Sequence, residues 1–241
     1  MRRSFLAVLA FTTGAALPLA AQSNDAPLRF TRFTVGAEAT VAQPVGAFAD
    51  EVGAAGGLTI HGAYHVTPAF SLRAEGNYLI YGHERRGDIC AAGTCRVRFN
   101  LDTNNQIASG FIGPQLEVPT GPVRPYVRAG AGFGYFFTTS SLSGTASEAF
   151  ATSQNYHDGV FAWTGGGGLR LPFAISRVPV AVDLGARYQQ NGEASYLRRG
   201  TGITDNADGT VRINPTRSDA NFVLWHLGMA VTIPHSRHRE R

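Results

Sequence analysis

The sequence predicts an all-β fold: an eight-stranded antiparallel up-and-down transmembrane β-barrel, with short turns at one end and four long loops at the other. Three observations predict it. Eight segments alternate apolar and polar residues with a period of two. The connections between them are short and long by turns. The aromatic residues on the apolar faces gather at two heights.

The chain has 241 residues, 29 of them glycine, with 16% charged residues and a formal net charge of +4; every basic side chain is arginine. That length suits one domain. Arg2 and Arg3 precede an apolar stretch from Phe5 to Leu19, and Ala20-Ala21 precede Gln22. This is the pattern of a secretory signal peptide over residues 1–21, cut after Ala21. The stretch is broken by Thr12, Thr13, Gly14 and Pro18 and is too short for a membrane anchor. Beyond it no apolar run approaches the ~20 residues that a membrane helix needs. The barrel is assigned to residues 22–234 and a short basic tail to 235–241.

In the first strand, Arg32 to Val41, Phe33, Val35, Ala37, Ala39 and Val41 point one way while Arg32, Thr34, Gly36, Glu38 and Thr40 point the other. The second, Leu58 to Val66, opposes Leu58, Ile60, Tyr64 and Val66 to Thr59, His61, Ala63 and His65. The third, Phe70 to Ile80, opposes Phe70, Leu72, Ala74, Tyr78 and Ile80 to Ser71, Arg73, Glu75 and Asn77. The fourth, Ile107 to Val118, is less regular, and Pro114 within it predicts a bulge, because proline donates no ladder hydrogen bond. The fifth, Val123 to Phe137, is the clearest: Val127, Ala129, Ala131, Phe133, Tyr135 and Phe137 oppose Arg124, Tyr126, Arg128, Gly130, Gly132 and Gly134. The sixth (Val160 to Leu171) carries Arg170 on the polar face, the seventh (Val178 to Tyr188) Asp183 and Arg187, and the eighth (Phe222 to Ile233) His226, Gly228 and Thr232.

Connections after even strands are short: Thr67 to Ala69, Pro119 to Pro122, and Pro172 to Arg177. Those after odd strands are long and polar: Ala42 to Gly57, Tyr81 to Gln106, Thr138 to Gly159, and Gln189 to Ala220. A membrane barrel sorts its loops by parity in this way; a soluble sandwich has no reason to. Tyr78, Tyr135, Phe137, Phe161, Trp163, Tyr188 and Trp225 fall near the outer rim, and Phe33, Tyr64, Phe70 and Phe173 near the inner one, as interfacial girdles would.

With the apolar face toward lipid, the polar face lines the lumen. It carries Arg32, Arg73, Arg124, Arg128, Arg170 and Arg187 together with Glu38, Glu75, Glu117 and Asp183. Such groups are stable inside only when paired. Inward glycines, such as Gly130, Gly132, Gly134, Gly166 and Gly168, leave room for long arginines in a lumen only wide enough for side chains. The expectation is a lumen filled by an Arg/Glu/Asp network.

Cys90 and Cys95 are the only cysteines, and in an exported chain they predict a disulfide closing a small loop. No catalytic, metal or cofactor site is expected. Gly165 to Gly168 lacks the Lys-Ser/Thr of a phosphate loop. His61 and His65 lie too far apart on a strand to chelate one ion easily. Asp205, Asn206 and Asp208 lack the later glutamate of a calcium loop, and Asp208-Gly209 reads as a hairpin turn. Arg85, Arg86, Arg96 and Arg98 make the second long loop basic and are candidates for contacting lipopolysaccharide phosphates.

Signal, dyad strands, loop parity and the last strand together resemble the small eight-stranded outer-membrane β-barrel superfamily, which includes the OmpA transmembrane domain, the OmpX-like proteins and porin-family outer membrane protein beta-barrel domains. Gly228, Val231 and Ile233 match the glycine and alternating hydrophobics of that group's terminal assembly signal, although these hydrophobics are aliphatic and a tail from Pro234 follows. The resemblance implies Sec export, insertion by the barrel-assembly machinery, an outer-membrane location, lipid as the surrounding partner, a monomer, and no nucleic-acid ligand. It leaves three functions: a non-enzymatic structural or surface-interaction barrel, a narrow channel for ions or small solutes, and a lipid-A-modifying enzyme. The last would need a histidine, a serine and an acid near the outer rim. His226, His83 and His157 lie toward that end, with no serine tied to any of them by spacing.

Overall fold

The computed structural model describes residues 32–90, 98–144, 149–175, 178–196, 203–205, 211–213 and 216–233. The long strands are β1 (Phe33–Val45), β2 (Ala55–His65), β3 (Phe70–Cys90), β4 (Arg98–Glu117), β5 (Arg124–Gly144), β6 (Ala149–Ile175) and β7 (Val178–Asn191). Short strands β8 (Glu193–Tyr196), β9 (Ile203–Asp205), β10 (Val211–Ile213) and β11 (Thr216–Asp219) precede β12 (Asn221–Ile233). The eight long strands close into a barrel in the order β1-β12-β7-β6-β5-β4-β3-β2, every described pairing antiparallel. Closure removes the free sheet edges that lipid would leave unpaired.

The alternation read from sequence sets which face turns outward. Val35, Ile60, Leu72, Ile112, Val127, Phe161, Leu184, Leu227 and Met229 stand exposed on the wall, while their strand neighbours are buried inside. Phe33 stacks on Tyr64 near the inner rim at 5.1 Å, and Trp163 on Tyr188 near the outer rim at 5.7 Å.

Two expectations about the strands are corrected. Pro114 makes no bulge: Leu72↔Pro114 sits in an unbroken β3–β4 register, and Ile112↔Ala131 and Gln115↔Arg128 keep one register with β5. The missing N–H only interrupts the described pairs there, which a ladder tolerates without inserting a residue. The irregularities lie higher, between Ile80 and Gly82, Arg86 and Ile89, Thr138 and Thr139, and Leu142 and Ser143. The second and third long loops, in turn, are largely strand. β3 to β6 continue past the wall as a paired sheet reaching Cys90↔Arg98 and Ser143↔Ala149. At roughly 3.3 Å per residue this sheet rises some 25–30 Å. Once out of lipid both faces meet water, so hydrophobic alternation no longer marks it.

Other connections are compact. The β1–β2 link forms a 3-10 turn over Gly46–Asp50. β8 pairs with β11, and β9 with β10 with Asp205 opposite Val211. Residues 1–31, with the expected signal, and the tail from 234 lie outside the described residues. So does Cys95, with residues 91–97, which places the expected disulfide beyond what is described.

Candidate functional site in the barrel lumen

The polar faces of the strands meet at mid-barrel. Glu38 on β1 is fully buried; its Oε1 lies 2.6 Å from Arg73 Nη2 and 3.0 Å from His61 Nδ1, and its Oε2 lies 3.7 Å from Arg187 Nη1 and 3.8 Å from Arg128 Nη2. Glu75 on β3 faces the same arginines: Arg73 Nε at 2.9 Å, Arg128 Nη1 at 3.0 Å and Arg187 Nε at 3.6 Å. A second group lies toward the inner end. Arg170 donates to Glu117 and, at 3.1 Å, to Asp183. Tyr126 donates its hydroxyl proton to Asp183 at 2.5 Å and lies 2.9 Å from His226 Nε2.

Four guanidiniums (Arg73, Arg128, Arg170, Arg187) thus meet four carboxylates (Glu38, Glu75, Glu117, Asp183), equal in number. Isolated charges at this depth are prohibitively costly, and neutral grouping offsets much of that cost. Above the charges, Thr40, Thr59 and Asn77 form a hydrogen-bonded row at 2.9 and 2.6 Å, ending on Arg187. The lumen has little spare width. A Cβ on Gly168 would fall 2.6 Å from the Tyr126 hydroxyl and 2.4 Å from the Leu184 carbonyl oxygen, so glycine there admits the tyrosine.

Among the described residues, two arginines make no ion pair with this group. Arg32 precedes β1 and is exposed, with Nη1 donating to the Tyr64 hydroxyl at 3.2 Å. Arg124 opens β5 at the inner rim, with Nε donating to the Gly121 carbonyl at 3.4 Å. Parity places both inward, but each stands where the wall ends and water is available.

Glu38, His61 and Asp183 bring ligand atoms within 4.8 Å of one another. Their carboxylates already face Arg73, Arg128, Arg187 and Arg170, so a divalent cation would meet guanidiniums on most sides. His65 is apart from His61, with Nε2 2.9 Å from Thr34 Oγ1. His226, expected toward the outer rim, is at mid-depth opposite Gly185 and Thr40, because β12 enters the wall at Phe222. His83 bonds Asn104 and His157 stacks on Tyr135. Gly165 to Gly168 run as extended strand within β6.

Sequence reasoning missed a second layer. Above the charges lies a mainly apolar layer: Phe48, Leu79, Tyr81, Ile107, Phe136, Tyr196, Phe222 and Leu224 pack with Ala42, Ala55, Ala194 and Ala220, all buried, with the buried Gln189 and Asn191 of β7 at its side. The signal was available as inward-parity positions that turn apolar toward the outer end of several strands, such as Asn77 giving way to Leu79 and His226 to Leu224.

An apolar outer wall around a buried, charge-balanced interior defines a membrane-spanning β-barrel of the outer-membrane type. The chain belongs to the outer membrane protein beta-barrel domain family, whose description matches residues 6–214. Among curated proteins none matches it. Solved structures similar to it include Neisserial surface protein A, at 16% identity over 83% of this chain and 97% of that one, with a TM-score of 0.41. The attachment invasion locus protein Ail of Yersinia pestis, in complex with the heparin analogue sucrose octasulfate, is 14% identical over 83% and 96%, with a TM-score of 0.39. The N-terminal barrel domain of Pseudomonas aeruginosa OprF is 15% identical over 84% and 98%, at 0.35.

Proposed function

We propose that the chain is a closed, non-catalytic barrel of the outer membrane that presents its β3–β6 sheet at the cell surface for contact with envelope or extracellular partners. The observation that carries this reading is the filling of the lumen by two stacked layers, one of paired charges and one apolar. Together they occupy the space a solute path would need. The sheet that continues beyond the wall is then the part built to meet other molecules. The reading includes Sec export and assembly by the barrel-assembly machinery, a monomeric state, and lipid as the immediate surrounding. In this reading the histidines are structural: His226 is engaged with Tyr126, His83 with Asn104 and His65 with Thr34.

The test uses intact cells. Ser143→Cys, near the top of β5, should be labelled by a membrane-impermeant maleimide, and the lipid-A mass spectrum should be the same with and without the chain. A protected Ser143→Cys would overturn the surface role, and a lipid-A mass change that depends on the chain would overturn the non-catalytic one.

A further inference from the structure

On four strands the inward face turns from polar to apolar at a similar height: Thr40 to Ala42 on β1, Asn77 to Leu79 on β3, Ser109 to Ile107 on β4, and His226 to Leu224 on β12, while β7 stays polar there with the buried Gln189 and Asn191. Above that line β3, β4, β5 and β12 contribute Leu79, Ile107, Phe136, Phe222 and Leu224, but β1 and β2 contribute only the small Ala42 and Ala55. The centre is filled from outside the wall by Phe48, on the 3-10 turn of the β1–β2 connection.

The Phe48 ring is fully buried and meets aromatic partners around the mouth. It packs edge-on to Tyr196 at 4.8 Å and to Phe222 at 4.9 Å, and lies 6.0 Å from Tyr81 and 6.4 Å from Phe136. These partners sit on β8, β12, β3 and β5. The connection itself is a self-contained unit. Gly46 turns it inward at φ +66°, a conformation that side chains other than glycine rarely adopt, and Phe48's carbonyl accepts from Glu51 and Val52 at 3.2 and 3.0 Å. Beside it lies a half-open cavity of about 400 Å3 bordered by Val52, Ala54, Tyr81, His83 and Asn105.

We propose that the β1–β2 connection is a lid, with Phe48 as its central stopper, and that this side chain closes the gap left between the wall's apolar residues and so separates the polar chamber of Thr40, Thr59 and Asn77 from the outer medium. The device is separate from the paired charges below, and its failure would leave the surface role untouched.

Thiol accessibility tests it. Thr40 is buried beneath the stopper and small enough to become cysteine. Thr40→Cys is placed in the full chain with Cys90→Ser and Cys95→Ser, folded in detergent micelles, and treated with 2-aminoethyl methanethiosulfonate. With Phe48 present the reaction should be slow. With Phe48→Gly it should be about tenfold faster or more, since protection follows the local opening equilibrium. Phe48→Leu, which keeps apolar bulk and leaves a smaller hole, should fall between the two. Heat-modifiable gel migration verifies folding of each variant. Equal rates in wild-type and either Phe48 variant, or fast reaction with Phe48 in place, would overturn the lid.

Discussion

Arg73 Nη2 lies 2.6 Å from Glu38 Oε1, although the two residues stand on strands separated by β2. The contact therefore crosses the lumen side of the wall and ties β1 to β3 through side chains alone. Removing the Glu38 charge leaves Arg73, Arg128 and Arg187 sharing Glu75, with one buried positive charge fewer compensated than before, which costs about 3–5 kcal/mol. Glu38→Gln should lower unfolding stability by that order, read from tryptophan fluorescence during urea unfolding in phospholipid vesicles. Adding Glu75→Gln should cost a different amount from the sum of the two single changes, because both carboxylates share Arg73, Arg128 and Arg187.

Gly168 should be the intolerant member of a pair of glycine sites. Its added Cβ would fall within 2.4 Å of the Leu184 carbonyl oxygen, whereas a Cβ on Gly62 meets nothing within 4 Å. Gly168→Ala is expected to destabilise by about 1–3 kcal/mol, the cost of overpacking, and Gly62→Ala to be near neutral. The same unfolding titration checks both.

These sites show what was legible in the sequence and what was not. The barrel's closure and the facing of Glu38, Arg73, Glu75, Asp183 and Arg187 follow from period-two alternation, which is strict where lipid lies on one side and a packed lumen on the other. That pattern stops informing at the water boundary. It therefore assigned Arg32 and Arg124 to the interior, and it read the outer halves of β3 to β6 as loop. Phe48 could not be placed from pattern at all: its burial depends on a turn folding back over strands remote in sequence.

The cysteine pair is expected to be oxidised. β3 ends at Cys90 opposite Arg98, so Cys95 falls in the connection at the tip of this hairpin. Thiol titration of the denatured, unreduced protein from outer membranes should find no free sulfhydryl, and reduction should release two. Two free thiols before reduction would remove the disulfide.

The basic side chains of the same hairpin should favour phosphate. Arg85 is exposed and only loosely engaged, with Nε 3.7 Å from Asp102. Replacing Arg85, Arg86, Arg96 and Arg98 with serine is expected to weaken binding of purified lipopolysaccharide and to reduce its salt sensitivity. Unchanged binding would rule out the contact.

Closure of the lumen is measured most directly by planar-bilayer recording. The wild-type chain, inserted in folded form, should give no steady single-channel conductance above the bare bilayer, because paired charges and the Phe48 layer together fill its interior. Stable open-channel current carried by the unmodified protein would contradict it.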